Sequence, residues 1–127
     1  MKHVRGNDQR EYWFEEGCWV TEWANHADDP AASIARIRVP VGGVTRWHAL
    51  DAIAERYVVL EGRGCAEIGD RAIDVSIGNV VLIEPGEPQR ITNTGDDDLL
   101  FLAVCTPRFR IEAYRDLESG TAAADTP

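Results

Sequence analysis

His48, Glu55 and Gln89 are the residues of this chain whose types and spacing could gather charge in one place. An imidazole nitrogen, a carboxylate and an amide oxygen form a donor set that can hold a divalent cation and leave coordination sites for water or substrate. The same three side chains can instead close into a buried hydrogen-bond network with no ion. Side chains alternate along a strand. His48 would therefore share a face with Arg46 and Leu50, Glu55 with Tyr57 and Val59, and Gln89 with Ile91 and Asn93. Among Leu50, Val59 and Ile91, burial would raise the pKa of Glu55 and suit it to general-base work. Tyr57 could donate a proton to a ligand, or serve as a core residue with its hydroxyl satisfied. Arg46 could fix a substrate carboxylate or phosphate by bidentate hydrogen bonding, with Leu50 and Ile91 as apolar contacts. Arg36, Arg38 and Arg90 offer the same chemistry and equally suit pairing with surface acids.

Short strands must position these groups. Runs at 33–39, 55–61, 65–68, 72–75, 80–84, 89–93 and 99–105 are rich in β-branched and apolar residues, and Gly, Asp and Pro punctuate them. Spacing of this kind reads as a sandwich or barrel. An aromatic-dense segment, Tyr12 to Trp23, precedes them and is too apolar to leave exposed.

Two glycine-framed blocks stand out. Gly42 lies six residues before His48, Glu55 follows, and Gly62 closes the first block. Gly78, Gly86 and Asn93 frame the second, with Pro85 next to Glu84 and Gln89 three residues after Gly86. Together the blocks resemble the paired motifs of the cupin superfamily, G-x5-H-x-H-x3,4-E-x6-G and G-x5-P-x-G-x2-H-x3-N, in its small single-domain bacterial form. The resemblance implies an all-β fold, a double-stranded β-helix or jelly-roll-like barrel. It also implies a divalent metal (iron, manganese, nickel or zinc) held here by His48, Glu55 and Gln89. Leu50 stands where the family has its second histidine, and Gln89 where it has its third. The proline of the second motif is displaced by one position.

Composition bounds the rest. At 127 residues and 44% hydrophobic content, the chain fits one domain with a real core. A formal charge of -9 and a single lysine, Lys2, exclude a nucleic-acid-binding surface. Neither G-x-G-x-x-G nor a P-loop is present, so no nucleotide cofactor is expected. Cys18, Cys65 and Cys105 lack the spacing of a zinc ribbon or a disulfide scaffold. Cys105, with apolar neighbours, reads as a buried small residue rather than a nucleophile. There is no signal-like apolar run near Met1 and no stretch long enough to cross a bilayer, so a cytoplasmic protein is expected.

The organisation expected is an N-terminal arm and strand at 1–24 that forms a homodimer interface, then a barrel at 25–110. A short helix (110–117) and a disordered tail complete the 111–127 segment. The partner expected is a small-molecule ligand. Two functions stay open. One is a metal-dependent enzyme of oxygenase, isomerase or lyase type acting on a small organic acid or phenolic compound, with Glu55 and Tyr57 catalytic. The other is a non-catalytic ligand-binding or sensing barrel without metal. A metal-free isomerase using His48 and Tyr57 lies between them.

Overall fold

β-Branched and aromatic residues alternating with polar ones favour a half-buried pleated surface, and turn residues end each run. In the computed structural model, which describes residues 1–118, these runs form eleven strands. They are β1 (Tyr12–Phe14), β2 (Cys18–Ala24), β3 (Ser33–Val39), β4 (His48–Leu50), β5 (Ala54–Glu61) and β6 (Arg63–Ile68). Then follow β7 (Arg71–Ser76), β8 (Val80–Ile83), β9 (Gln89–Asn93), β10 (Leu99–Thr106) and β11 (Tyr114–Asp116). Two antiparallel sheets result, in the orders β1-β2-β3-β10-β5-β8 and β11-β4-β9-β6-β7. Their inner faces share one core, with Val20, Ile37, Val59 and Phe101 from the first sheet and Ala66, Val75 and Ile91 from the second.

The pleat decides what faces inward. On β5, Glu55, Tyr57 and Val59 are buried while Arg56, Val58 and Leu60 are partly exposed. On β9, Gln89, Ile91 and Asn93 are buried in the same way. The register Glu55↔Cys105 and Tyr57↔Ala103 sets β5 against β10, and His48↔Gln89 joins β4 to β9.

Turns carry their own constraints. Gly62, between β5 and β6, has φ +87°, and a Cβ there would lie 2.7 Å from the Asp98 carbonyl oxygen. Both the left-handed conformation and the close approach require glycine. Asn93 pins the turn after β9 by donating to the carbonyls of Val39 (2.9 Å) and Asp97 (2.8 Å) and accepting from the Gly95 amide (2.9 Å).

The C-terminal end of the described chain differs from expectation. The 110–117 segment is not a helix. It makes a 3₁₀ turn at Ile111–Ala113, and β11 then pairs with β4 as Tyr114↔Leu50, Arg115↔Ala49 and Asp116↔His48. Eight residues are too few to hold a helix by propensity alone, whereas the edge of β4 offers ladder hydrogen bonds to any strand that meets it. The tail expected after it lies, from residue 119 on, outside the described residues. Near the start, the polar segment 1–10 includes a 3₁₀ turn at Gly6–Asp8 packed so tightly on β2 that a Cβ on Gly6 would fall 2.5 Å from that of Trp23. Among the described residues no helix is long and apolar enough to cross a membrane.

Candidate functional site

Between the sheets lies a cavity of about 660 Å³, within the range of small-molecule sites. Part of its wall is apolar, from Phe14, Val20, Ile37, Ile91 and Phe101. Into this wall is set a polar cluster made by Glu16, His48, Glu55, Tyr57 and Gln89.

His48 opens β4 and is buried. Its Nδ1 lies 2.6 Å from the main-chain oxygen of Arg46, and its Nε2 lies 3.0 Å from Glu16 Oε1. Both ring nitrogens therefore lie within hydrogen-bond distance of an oxygen. The imidazole stacks on Tyr114, with centroids 5.1 Å apart and 20° between planes. The turn from β1 to β2 aims Glu16: Gly17 takes φ +109° there, and its amide donates to the Phe14 carbonyl at 2.9 Å. The Arg46 amide donates to the Glu16 carbonyl at 2.8 Å, so the two segments that flank His48 are laced together.

Glu55 is buried, and its Oε1 has no hydrogen-bond partner. Burial pushes its pKa from 4.5 up to about 7; attraction to His48 opposes the rise, Glu16 adds to it, and the Gln89 amide opposes it again. At neutral pH this carboxyl is poised between giving and taking a proton. The hydroxyl of Tyr57 donates to Gln89 Oε1. Burial, followed by the neighbouring Glu55, holds the Tyr57 hydroxyl well above the usual phenol range, so it remains a donor.

The substrate contacts expected from the sequence separate in space. Ile91 lines the cavity. Leu50 packs instead in a second apolar cluster with Ile53 and Cys105. Arg46 lies outside the cavity lining, where its Nε donates to Asp116 Oδ2 at 2.9 Å. Strand alternation does not reach Arg46, because β4 begins only at His48. Arg36 and Arg38 meet Glu11, and Arg90 meets Glu67. All three cysteines are free; burial raises the thiols of Cys18 and Cys105, which leaves them poor nucleophiles. Sequence reasoning missed Glu16, Tyr114 and Asp116. The Glu15-Glu16-Gly17 turn could have signalled the first, but nothing in its local pattern names His48 as the partner.

The family's metal does not fit this donor set. His48 Nε2 is held by Glu16, Gln89 Oε1 accepts from Tyr57, and Leu50 supplies no donor. Among the described residues no group of three or more His, Cys, Asp or Glu side chains is placed to hold a metal ion.

A family model for the cupin domain matches residues 35–105. The chain belongs to the cupin family. This cupin is 34% identical over 86 residues to an uncharacterized protein of Methanocaldococcus jannaschii, a match that covers 68% of this chain and 69% of that one. It is 34% identical over 74 residues to an oxalate-binding protein of Thermotoga maritima, covering 58% of this chain and 61% of that one, or about three-fifths of the relative's length. Among solved structures, the cupin barrel superposes on Pac13, a nucleoside dehydratase of Streptomyces, with a TM-score of 0.79. That superposition has 14% identity and covers 98% of this chain and 94% of the other, which is a likeness of fold.

Proposed function

We propose that this cupin binds a small oxygenated organic molecule and performs metal-independent acid–base chemistry of isomerase or lyase type on it. The observation that carries the reading is Glu55: a buried carboxyl in the cavity wall with one unpartnered oxygen and a pKa of about 7. In the proposed step Glu55 takes a proton from a carbon next to a carbonyl, and the electron pair of that C–H bond moves onto the carbonyl oxygen. The imidazole of His48, set in the same wall, is the group proposed to stabilise that oxygen. Glu55 then returns the proton in one of two ways. In an isomerisation it goes to the former carbonyl carbon, while the hydroxyl on the deprotonated carbon passes its proton to the first oxygen and becomes the new carbonyl. In an elimination the enolate pair collapses to a carbon–carbon double bond, the neighbouring C–O bond breaks, and Glu55 protonates the departing hydroxyl, which leaves as water. Tyr57, held on Gln89, is the neutral donor beside it. The elimination branch is supported by the likeness of this barrel to a nucleoside dehydratase, although fold alone names no reaction.

The test needs no knowledge of the final product. The protein is incubated in deuterium oxide with a panel of hydroxyketones and hydroxyacids, and loss of the carbon-bound proton is followed by NMR. The expected result is exchange by the wild type and a fall of at least about a hundredfold in Glu55→Gln. Exchange that survives Glu55→Gln overturns the assignment.

A second reading is a binding or sensing barrel without turnover. It is favoured by the fact that Glu16 already satisfies His48, and Tyr57 already satisfies Gln89. Ligand binding without exchange across the panel would select it. Our reading also includes a homodimer through the N-terminal arm, supported by the position of β1 at the sheet edge and by the exposure of Tyr12. Sedimentation of wild type and Trp13→Glu tests this: a dimer that becomes a monomer is expected, and a monomeric wild type refutes it.

A further inference from the structure

The cavity has a charge that the acid–base reading does not use. Arg108 follows β10 and lines the cavity, half-buried. Its Nη1 donates to Asn25 Oδ1 at 2.8 Å, and its main-chain amide donates to the Pro30 carbonyl at 3.1 Å. Asn25 is itself fixed, donating to the Phe109 carbonyl at 2.9 Å. The guanidinium is thus built in place by a neutral amide rather than an acid. Among the described residues no carboxylate pairs with it.

That is unusual for a chain of net charge -9. The other acids of this wall are engaged: Glu22 accepts from Tyr12 at 3.4 Å, and Glu112 lies 3.9 Å from Arg110. A partly desolvated guanidinium without a counter-charge loses hydration and gains no ion pair, unless an anion arrives. Its remaining donors match the planar fork of a carboxylate or the oxygens of a phosphate. The β5–β10 ladder sets Cys105 opposite Glu55, so Arg108 lies three residues beyond the level of the proton-transfer group. Phe14, Ile91 and Phe101 provide the apolar wall that would hold the body of the same molecule.

We propose that Arg108, held by Asn25, is the specificity residue of this pocket, and that its ligand is an apolar-bodied small acid bearing a carboxylate or phosphate. The assignment rests on the reading of the cavity as the ligand site. It moves acid recognition from Arg46, which faces Asp116, to Arg108, which lines the cavity.

Three probes of matched body separate the possibilities: naphthoate, naphthyl phosphate and the neutral naphthalenemethanol, each titrated by calorimetry. The expected result is that at least one anion binds the wild type about tenfold or more tightly than the alcohol. Whichever anion is preferred identifies the headgroup. Arg108→Met should erase the preference while leaving binding of the alcohol unchanged, and Arg108→Lys should restore part of it. Asn25→Ala should reduce the preference without abolishing it. Equal binding of anions and alcohol, a preference that survives Arg108→Met, or no binding of any probe would each overturn the proposal. Glu55→Gln should retain the anion preference, so failure of the proton-transfer reading and failure of this one are separately visible.

Discussion

Glu55 holds its proton more tightly in the folded protein than an exposed glutamate does, because burial removes water from its charged form. The consequence for stability has a definite sign. A carboxyl whose folded pKa is raised stabilises the fold fully below its unfolded value of 4.5, and that contribution is lost as pH climbs through about 7. The span is on the order of 3 kcal/mol. Denaturant unfolding at a series of pH values should therefore show wild type losing stability across this window, and Glu55→Gln losing much less. The neighbours pull in opposite directions, which gives a sharper check. With carbon-labelled glutamate, the NMR midpoint of Glu55 should lie near 7, fall in Glu16→Gln and rise in His48→Gln. Movement in the same direction in both variants would contradict the electrostatics. Retention of metal is a further residue-scale test. After loading with zinc or manganese salts and dialysis, elemental analysis should find far less than one ion per chain, because Leu50 and the engaged Gln89 leave too few donors.

At the scale of elements, the positions that recur in the two glycine-framed blocks divide between building the barrel and furnishing it. Gly62 and Asn93 build it. Gly62→Ala should destabilise by about 1–3 kcal/mol through strain and the Asp98 contact. Asn93→Ala, which strands two carbonyls and an amide, should cost about 2–4 kcal/mol. Chemical denaturation measures both, and neither substitution should move the Glu55 midpoint. The strands themselves were legible because period-two alternation and turn residues are local signals. Alternation likewise oriented Glu55, Tyr57, Gln89 and Ile91, which belong to regular strands. It misplaced Arg46, two residues before β4, where the chain no longer pleats. It also missed Glu16 and Arg108, whose positions are set by a turn and by a segment beyond the last long strand. The helix expected at 110–117 failed for a related reason. Whether eight residues coil or extend depends on the edge of β4, and sequence alone does not reveal that this edge is free to receive them.

For the whole molecule, the site draws on nearly the full length of the described chain. Phe14 packs edge-on against Tyr114, with centroids 5.3 Å apart, and Tyr114 lies flat on His48. Residues one hundred positions apart thus meet at the catalytic candidate, and the order of events in folding follows from that. Contacts between segments so distant along the chain carry a large closure entropy and form late. In refolding, the hairpin of β6 and β7 should acquire hydrogen-exchange protection early, whereas affinity for ligand should return only with the final phase. A nascent polypeptide likewise has no complete pocket until residue 116 is free to dock, so a partly made copy would bind nothing.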